Sequence, residues 1–270
     1  MKNLMVANFV PGSRASFKDL ETAMLAQVEN SLQFGWKEED IILLTNFAYK
    51  IEDTEIKAIP IPMNNFCLTG SKMFAMQWYY SQPDATDEVI WAHDLDLWQN
   101  HEMEEPKFKD VGIATYSRPK FNGGCVFYRK AAIDMIDAVV EDISANKEAK
   151  EEPTINKLWR TGEYKDRVTV VDQTYNVGCS GYKVRYDKSK KPLRGLHFHP
   201  TNRIAWDTHA RNRNGISKDA TISDRLRDLF KKYYDDRISK YVYEDKEDRT
   251  PYEVRPGGID RKKSEKMGIN

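Results

Sequence analysis

Glu88-Val89-Ile90-Trp91-Ala92-His93-Asp94-Leu95-Asp96-Leu97-Trp98 is an apolar run that ends abruptly in two carboxylates spaced i, i+2. Its apolar part, Val89 to Ala92, has the length and continuity of a buried strand. Along an extended chain, residues i and i+2 point the same way. Asp94 and Asp96 are therefore expected to present their oxygens together just past the strand's end. Open α/β sheets bind ligands there, outside the carboxyl ends of their strands. Two hard oxygen donors with open positions suit Mg2+ or Mn2+ carrying a phosphate. The plainer alternative is a loop with two solvated aspartates, because Asp-x-Asp is a common spacing.

Upstream of this strand, β and α patterns alternate. Leu4 to Val10 reads as a first strand and Pro11-Gly12 as the turn after it. Ser16-Phe17-Lys18-Asp19 has the form of a capping box. Leu20, Met24, Val28 and Leu32 follow at helical spacing, with Gly35 as the stop. Ile41 to Leu44 is another buried-strand run, and Ile56 to Ile61, broken by prolines, a further strand or an edge. A helix opens at Gly70-Ser71 and carries Met73, Phe74, Gln77 and Tyr80. This alternation predicts a Rossmann-like parallel sheet. No Gly-x-Gly-x-x-Gly follows the first strand and no Walker sequence occurs, which weakens dinucleotide and P-loop readings.

Downstream, Val111 to Thr115 and Gly124 to Tyr128 read as strands and Ala131 to Ile143 as a helix. Val168 to Val171 is a short strand ending at Asp172-Gln173; Tyr182 to Tyr186 follows, then a strand end at Leu196 to Pro200. After Pro200 basic residues dominate, among them Arg203, Arg211, Arg225, Lys231 and Lys232. Ile222, Leu226, Leu229, Phe230 and Tyr233 are at helical spacing there, which predicts a helical, basic extension over 201–270. Such a stretch is more often a solvated helical face than a binding surface.

The 270 residues suffice for one sizeable core with an appendage. Lys+Arg and Asp+Glu are both 42, so no global preference for nucleic acid or an anionic membrane follows. Met1 to Asn8 is too short an apolar stretch for a signal peptide, and no run approaches the roughly 18 apolar residues of a membrane span. Cys67, Cys125 and Cys179 form no Cys-x-x-Cys pair and are expected as small buried hydrophobes. These features lead us to expect a soluble cytoplasmic protein in a reducing compartment (host cytoplasm if viral).

Four short motifs occur in order: His93-Asp94-Leu95-Asp96, Phe121-Asn122-Gly123-Gly124, Val171-Asp172-Gln173-Thr174-Tyr175-Asn176 and Leu196-His197-Phe198-His199-Pro200. This order resembles the GT-A fold of nucleotide-sugar glycosyltransferases, nearest to the retaining branch with glycogenin and bacterial galactosyltransferases. The resemblance covers residues 1–200, a nucleotide-sugar half at 1–98 and an acceptor half at 99–200. It implies an α/β fold in which Asp96 binds a divalent cation, Mn2+ or Mg2+, directly, while Asp94 binds metal or ribose. His197 would complete the shell, with His199 the alternative two residues on. Val6, Asn8 and Phe9 would line the base pocket, and Lys72 would contact the donor. Asn122 and Gly123 would border the donor sugar, with Asp172 and Gln173 beneath it. The usual Lys-Pro-Trp after the late histidine is replaced by Pro200-Thr201-Asn202-Arg203, so Arg203 would take over the diphosphate contact.

Each residue also has a bland reading. His197 and His199 fit satisfied core histidines, Asn122-Gly123 a turn, and Asp172 a helix N-cap. If the reaction inverts, Asp172 is the candidate general base. UDP is the expected donor nucleotide by analogy. The small chain with its basic, tyrosine-bearing tail also resembles phage glycosyltransferases that decorate hydroxymethylated DNA bases. A polysaccharide or lipid-linked acceptor is the alternative. A sugar nucleotidyltransferase needs a Gly-rich basic loop, of which Val10-Pro11-Gly12-Ser13-Arg14 is a thin version. A non-catalytic module would have no need to keep Asp94, Asp96, Asp172 and His197 together.

Overall fold

Strand β1, Lys2–Ala7, lies between β2, Ile41–Thr45, and β4, Ile90–His93, parallel to both. Both of its faces are covered, in keeping with the unbroken apolar run from Leu4 to Ala7. Leu4 packs on one side with Met73, Met76, Met135 and Ile136. Met5 packs on the other with Met24, Leu25 and Val28. A computed structural model of the chain describes residues 1–11, 17–51, 53–63, 67–117, 120–146, 149–178 and 190–197. It also describes Arg225, Asp228, Leu229, Lys232, Tyr233 and two short strands near the end.

Helix α1, Phe17–Gln33, follows β1, and Gly35 closes it at φ 89°, where a Cβ would be strained. The edge strand β3, Ala58–Pro60, pairs parallel with β2 and carries the proline an edge tolerates. Helix α2, Ser71–Ser81, then leads into β4. The parallel half is thus as expected, although β1 stops at Ala7 rather than Val10.

Beyond β4 the sheet becomes mixed. Strands β6, Val111–Ser117, and β7, Lys120–Tyr128, form a hairpin whose β7 runs antiparallel to β4 as well. Helix α3, Ile133–Ala145, is followed by α4, Glu151–Ile155, which continues into a π-helical turn, Asn156–Arg160. Pro153 fits α4 because it stands in the first turn, where a missing N–H costs nothing. Strand β8, Val168–Val171, pairs parallel with β6. The seven-stranded order is β3-β2-β1-β4-β7-β6-β8. A smaller sheet joins β5, Leu97–Gln99, β10, Gly195–His197, and β9, Val177–Gly178. It covers a core of Trp91, Leu97, Cys125, Phe127 and Tyr175.

Among the described residues of the C-terminal extension, Arg225, Asp228, Leu229, Lys232 and Tyr233 are helical, and several of them contact α1. Leu229 is buried, and Tyr233 packs on the α1 side of the core. Arg225 donates to Asn30 Oδ1 at 2.7 Å and to Gln99 O at 3.1 Å; Lys232 pairs with Glu29 at 2.6 Å. Arg225 is therefore partly buried against the body of the molecule, while Lys232 is exposed and paired with α1 at the surface. The Ser16 cap, the Tyr182 to Tyr186 strand, Cys179 and most of the extension lie outside the described residues. No helix among the described residues is long and apolar enough to cross a membrane.

Candidate metal centre and its cavity

The two aspartates do not meet along an extended chain. The Leu97 N–H donates to Asp94 O at 3.0 Å, closing a four-residue turn between β4 and β5. The sequence expectation of a straight i, i+2 pair is corrected: the turn folds both carboxylates onto one side. His197, 1% exposed, reaches them from β10, which pairs with β5 directly after the turn. Its Nε2 lies 3.2 Å from Asp96 Oδ1 and 3.9 Å from Asp94 Oδ2. One donor atom from each of the three falls within 4.8 Å of the others. A lone pair and two carboxylates converging on one point fit a divalent cation of the Mn2+ or Mg2+ kind.

Gly124 makes room for that imidazole. The Asp94 N–H donates to Gly124 O at 3.0 Å, so β7 sets Gly124 directly opposite the metal turn. A Cβ on Gly124 would stand 2.3 Å from His197 Cε1. The other side of His197 is held by Asn176, whose Oδ1 is 3.0 Å from Nδ1.

A cavity of about 740 Å3 opens beside the cluster, within the range of small-molecule sites. One end is walled by Val6, Asn8, Leu20 and Leu95, and the other by Lys120, Asn122, Gly123, Glu151, Glu152 and Asn156. Lys72, at the start of α2, is 4% exposed. Its Nζ donates to Asp94 Oδ1 and to Gly123 O, both at 2.5 Å, and lies 3.8 Å from Glu151 Oε1. Burial works to lower the Lys72 pKa, but Asp94 and Glu151 more than offset it and hold the ammonium charged. Burial raises Glu151 above the ordinary carboxylate range, and Lys72 only partly counters this, being nearer to Asp94. Among the described residues Glu151 Oε1 has no hydrogen-bond partner. A Cβ on Gly123 would come within 2.6 Å of it.

Of the sequence candidates, Val6, Asn8, Lys72, Asp94, Asn122, Gly123 and His197 border this cavity. Asp96 joins the metal cluster. Phe9 does not line the cavity; it packs edge-on against Phe17 at 5.1 Å and is clamped by Asn46. Asp172 and Gln173 also stand apart from the lining. Asp172 caps a short turn by accepting from the Thr174 N–H at 2.9 Å and pairs with Lys190 at 3.4 Å. Burial would raise its carboxyl, but these partners outweigh burial and lower it. Gln173 donates to Thr115 O. His199 and Arg203 lie outside the described residues. Glu151, Glu152, Asn156 and Asn176 were not anticipated; the only local sign was the acidic pair ahead of Pro153.

No protein-family model matches the chain, and no curated protein sequence does. Solved structures do. A galactosyltransferase, LgtC, in complex with donor and acceptor sugar analogues is 12% identical with a TM-score of 0.56, over 92% of this chain and 99% of that one. The glycosyltransferase GlyE of Streptococcus pneumoniae TIGR4 is 13% identical with a TM-score of 0.50, over 90% of this chain and 66% of that one. At such identity the likeness is one of fold. The chain has the GT-A fold, a Rossmann-like mixed sheet with flanking helices.

Proposed function

We propose that this chain is a metal-dependent glycosyltransferase. It moves a sugar from a nucleoside diphosphate, UDP by the family resemblance, to an acceptor hydroxyl. The observation that carries the reading is the convergence of Asp94, Asp96 and His197 beside a cavity that two further acids, Glu151 and Glu152, also line.

A nucleoside diphosphate leaves poorly unless its developing charge is neutralised. Mn2+ or Mg2+ held by the two aspartates and the histidine would supply that neutralisation when bound. Val6, Leu20 and Leu95 offer the apolar wall a base needs, and Asn8 a polar edge. Lys72 is the fixed cation that holds Asp94 in orientation. At the other end, Asn122, Glu151, Glu152 and Asn156 suit a hydroxyl-rich ring. The motif order assigns the sugar-facing role to Asp172 and Gln173. We assign it to Glu151 and Glu152, because they border the cavity whereas Asp172 is engaged in a cap. A carboxylate there accepts hydrogen bonds from hydroxyls and favours the positive charge of an oxocarbenium-like transition state.

The acceptor we propose is the hydroxyl of a hydroxymethylated DNA base, with a polysaccharide or lipid-linked glycan the alternative. Arg225 and Lys232 are bound to α1, so the remaining basic residues of the extension would have to meet the phosphates. Thermal unfolding with UDP-sugars, with and without Mn2+, tests the donor site. A rise in midpoint only with metal, lost in Asp96→Ala, is expected. No response to any nucleotide sugar, or a response indifferent to metal, overturns the reading. Transfer to hydroxymethylated duplex rather than to oligosaccharides then decides the acceptor.

A further inference from the structure

The proton on His197 is dictated by a chain of amides that begins on the main chain. The Gly124 N–H donates to Asn122 Oδ1 at 3.0 Å. A backbone N–H only donates, so this contact fixes which end of the Asn122 amide is oxygen. Asn122 Nδ2 then faces Glu152 Oε2 at 3.3 Å, an acceptor, as that orientation requires. The next group facing Asn122 Oδ1, at 2.8 Å, must be a donor, which makes it Asn176 Nδ2. The Asn176 oxygen is thereby turned to His197 Nδ1 at 3.0 Å. An amide oxygen only accepts, so Nδ1 carries the hydrogen. In the neutral ring, the form that can ligate a metal, the lone pair then belongs to Nε2, which faces the oxygens of Asp96 and Asp94.

We propose that Asn122 and Asn176 are positioning residues that lock His197 in the Nδ1–H tautomer and so present Nε2 to a divalent cation shared with Asp94 and Asp96. The inference rests on the metal reading given above. All three side chains are buried, Asn176 and His197 almost wholly, so water does not compete for the relay. The chain also limits Asn122. Its oxygen already accepts from Gly124 and Asn176, so it can offer a sugar only the second hydrogen of its NH2. A ligand hydroxyl facing Asn122 is therefore an acceptor.

The test measures the His197 ring nitrogens by 15N NMR in the metal-free full-length protein, and Mn2+ affinity by electron paramagnetic resonance. Wild type is expected to carry a hydrogen on Nδ1. Asn176→Leu removes the acceptor and the ring orientation, and Mn2+ affinity should fall by about 10- to 100-fold, the usual loss for such outer partners. Asn176→Asp keeps an acceptor opposite Nδ1 but loses the donor to Asn122 Oδ1, so it should retain the hydrogen on Nδ1 and lose less Mn2+ affinity than Asn176→Leu. A wild-type ring without a hydrogen on Nδ1 overturns the relay whether or not any variant folds. Unchanged Mn2+ affinity in Asn176→Leu overturns the positioning role. Failure of the wild type to bind Mn2+ overturns the metal reading itself, while the metal-free tautomer still judges the relay.

Discussion

Replacing Gly124 with alanine attacks the candidate metal centre through geometry alone. The new Cβ would stand 2.3 Å from His197 Cε1 and 2.8 Å from Nδ1, where ordinary contact begins near 3.4 Å. Gly124 is held in place by the Asp94 N–H, which donates to its carbonyl at 3.0 Å, and by its own N–H, which donates to Asn122 Oδ1 at 3.0 Å. The imidazole must therefore retreat by about 1 Å, against metal-ligand distances that tolerate about 0.2 Å. Overpacking of this kind costs about 1–3 kcal/mol of stability. Displacing the imidazole should weaken Mn2+ binding at least about 10-fold, or 1.4 kcal/mol. Urea unfolding gives the first quantity and Mn2+ titration the second. The double variant Gly124→Ala/His197→Ala isolates the clash with the ring, because only the contact with Asn122 Oδ1 at 2.9 Å then remains. If Gly124→Ala binds Mn2+ as wild type does, or costs the same stability with and without the histidine, the packing argument is refuted.

Asp96→Ala should abolish any Mn2+-induced rise of the midpoint in calorimetry; a rise of wild-type size would count against the cluster. Lys72→Met removes the counter-charge of Asp94 and buried Glu151 and should cost about 3–5 kcal/mol at pH 8, less at pH 5 as Glu151 protonates; equal losses at both would be contrary. Burial pushes His93 from 6.5 down to about 4, so its contribution is complete above 6.5 and is lost as pH falls through 4. That amounts to about 3 kcal/mol, and His93→Gln should flatten the pH–stability curve in that window. Glu151 has the opposite sign: burial raises it, so the metal-free protein loses stability as pH climbs out of the ordinary carboxylate range, and Glu151→Gln should remove that slope.

Periodicity exposed the parallel strands and α2 because both faces of those strands are buried, and burial is written locally as apolar runs. His197 was legible through its place in an ordered set of motifs. The turn that joins the aspartates was not, because Leu95 and Leu97 between and after them imitate an extended strand. Glu151 was hidden for a different reason. It sits in an acid- and lysine-rich run that reads as solvated, and its burial is caused by partners far along the chain, Gly123 and Lys72. Asp172-Gln173 fitted the motif order, yet the bland N-cap reading is the geometry the chain adopts there. Asn176 matters only through residues 21 and 54 positions away, which no local pattern reveals.

The hairpin pairing of β7 has one further consequence. Between the pairs Ile113↔Val126 and Thr115↔Phe121, a single β6 residue, Ala114, faces the stretch Asn122 to Cys125. This excess loop is a large bulge, and it releases main-chain groups from the ladder. Three of them become fittings of the site: Gly124 N–H orients Asn122, Gly123 O anchors Lys72, and Gly124 O receives Asp94 N–H. Contacts made by the main chain are indifferent to side-chain identity, so drift at positions 123 and 124 can obstruct the wall but not re-tool it. Variation in what the wall recognises would have to arise around it, at Lys120, Glu152 and Asn156, while the bulge persists as inherited hardware.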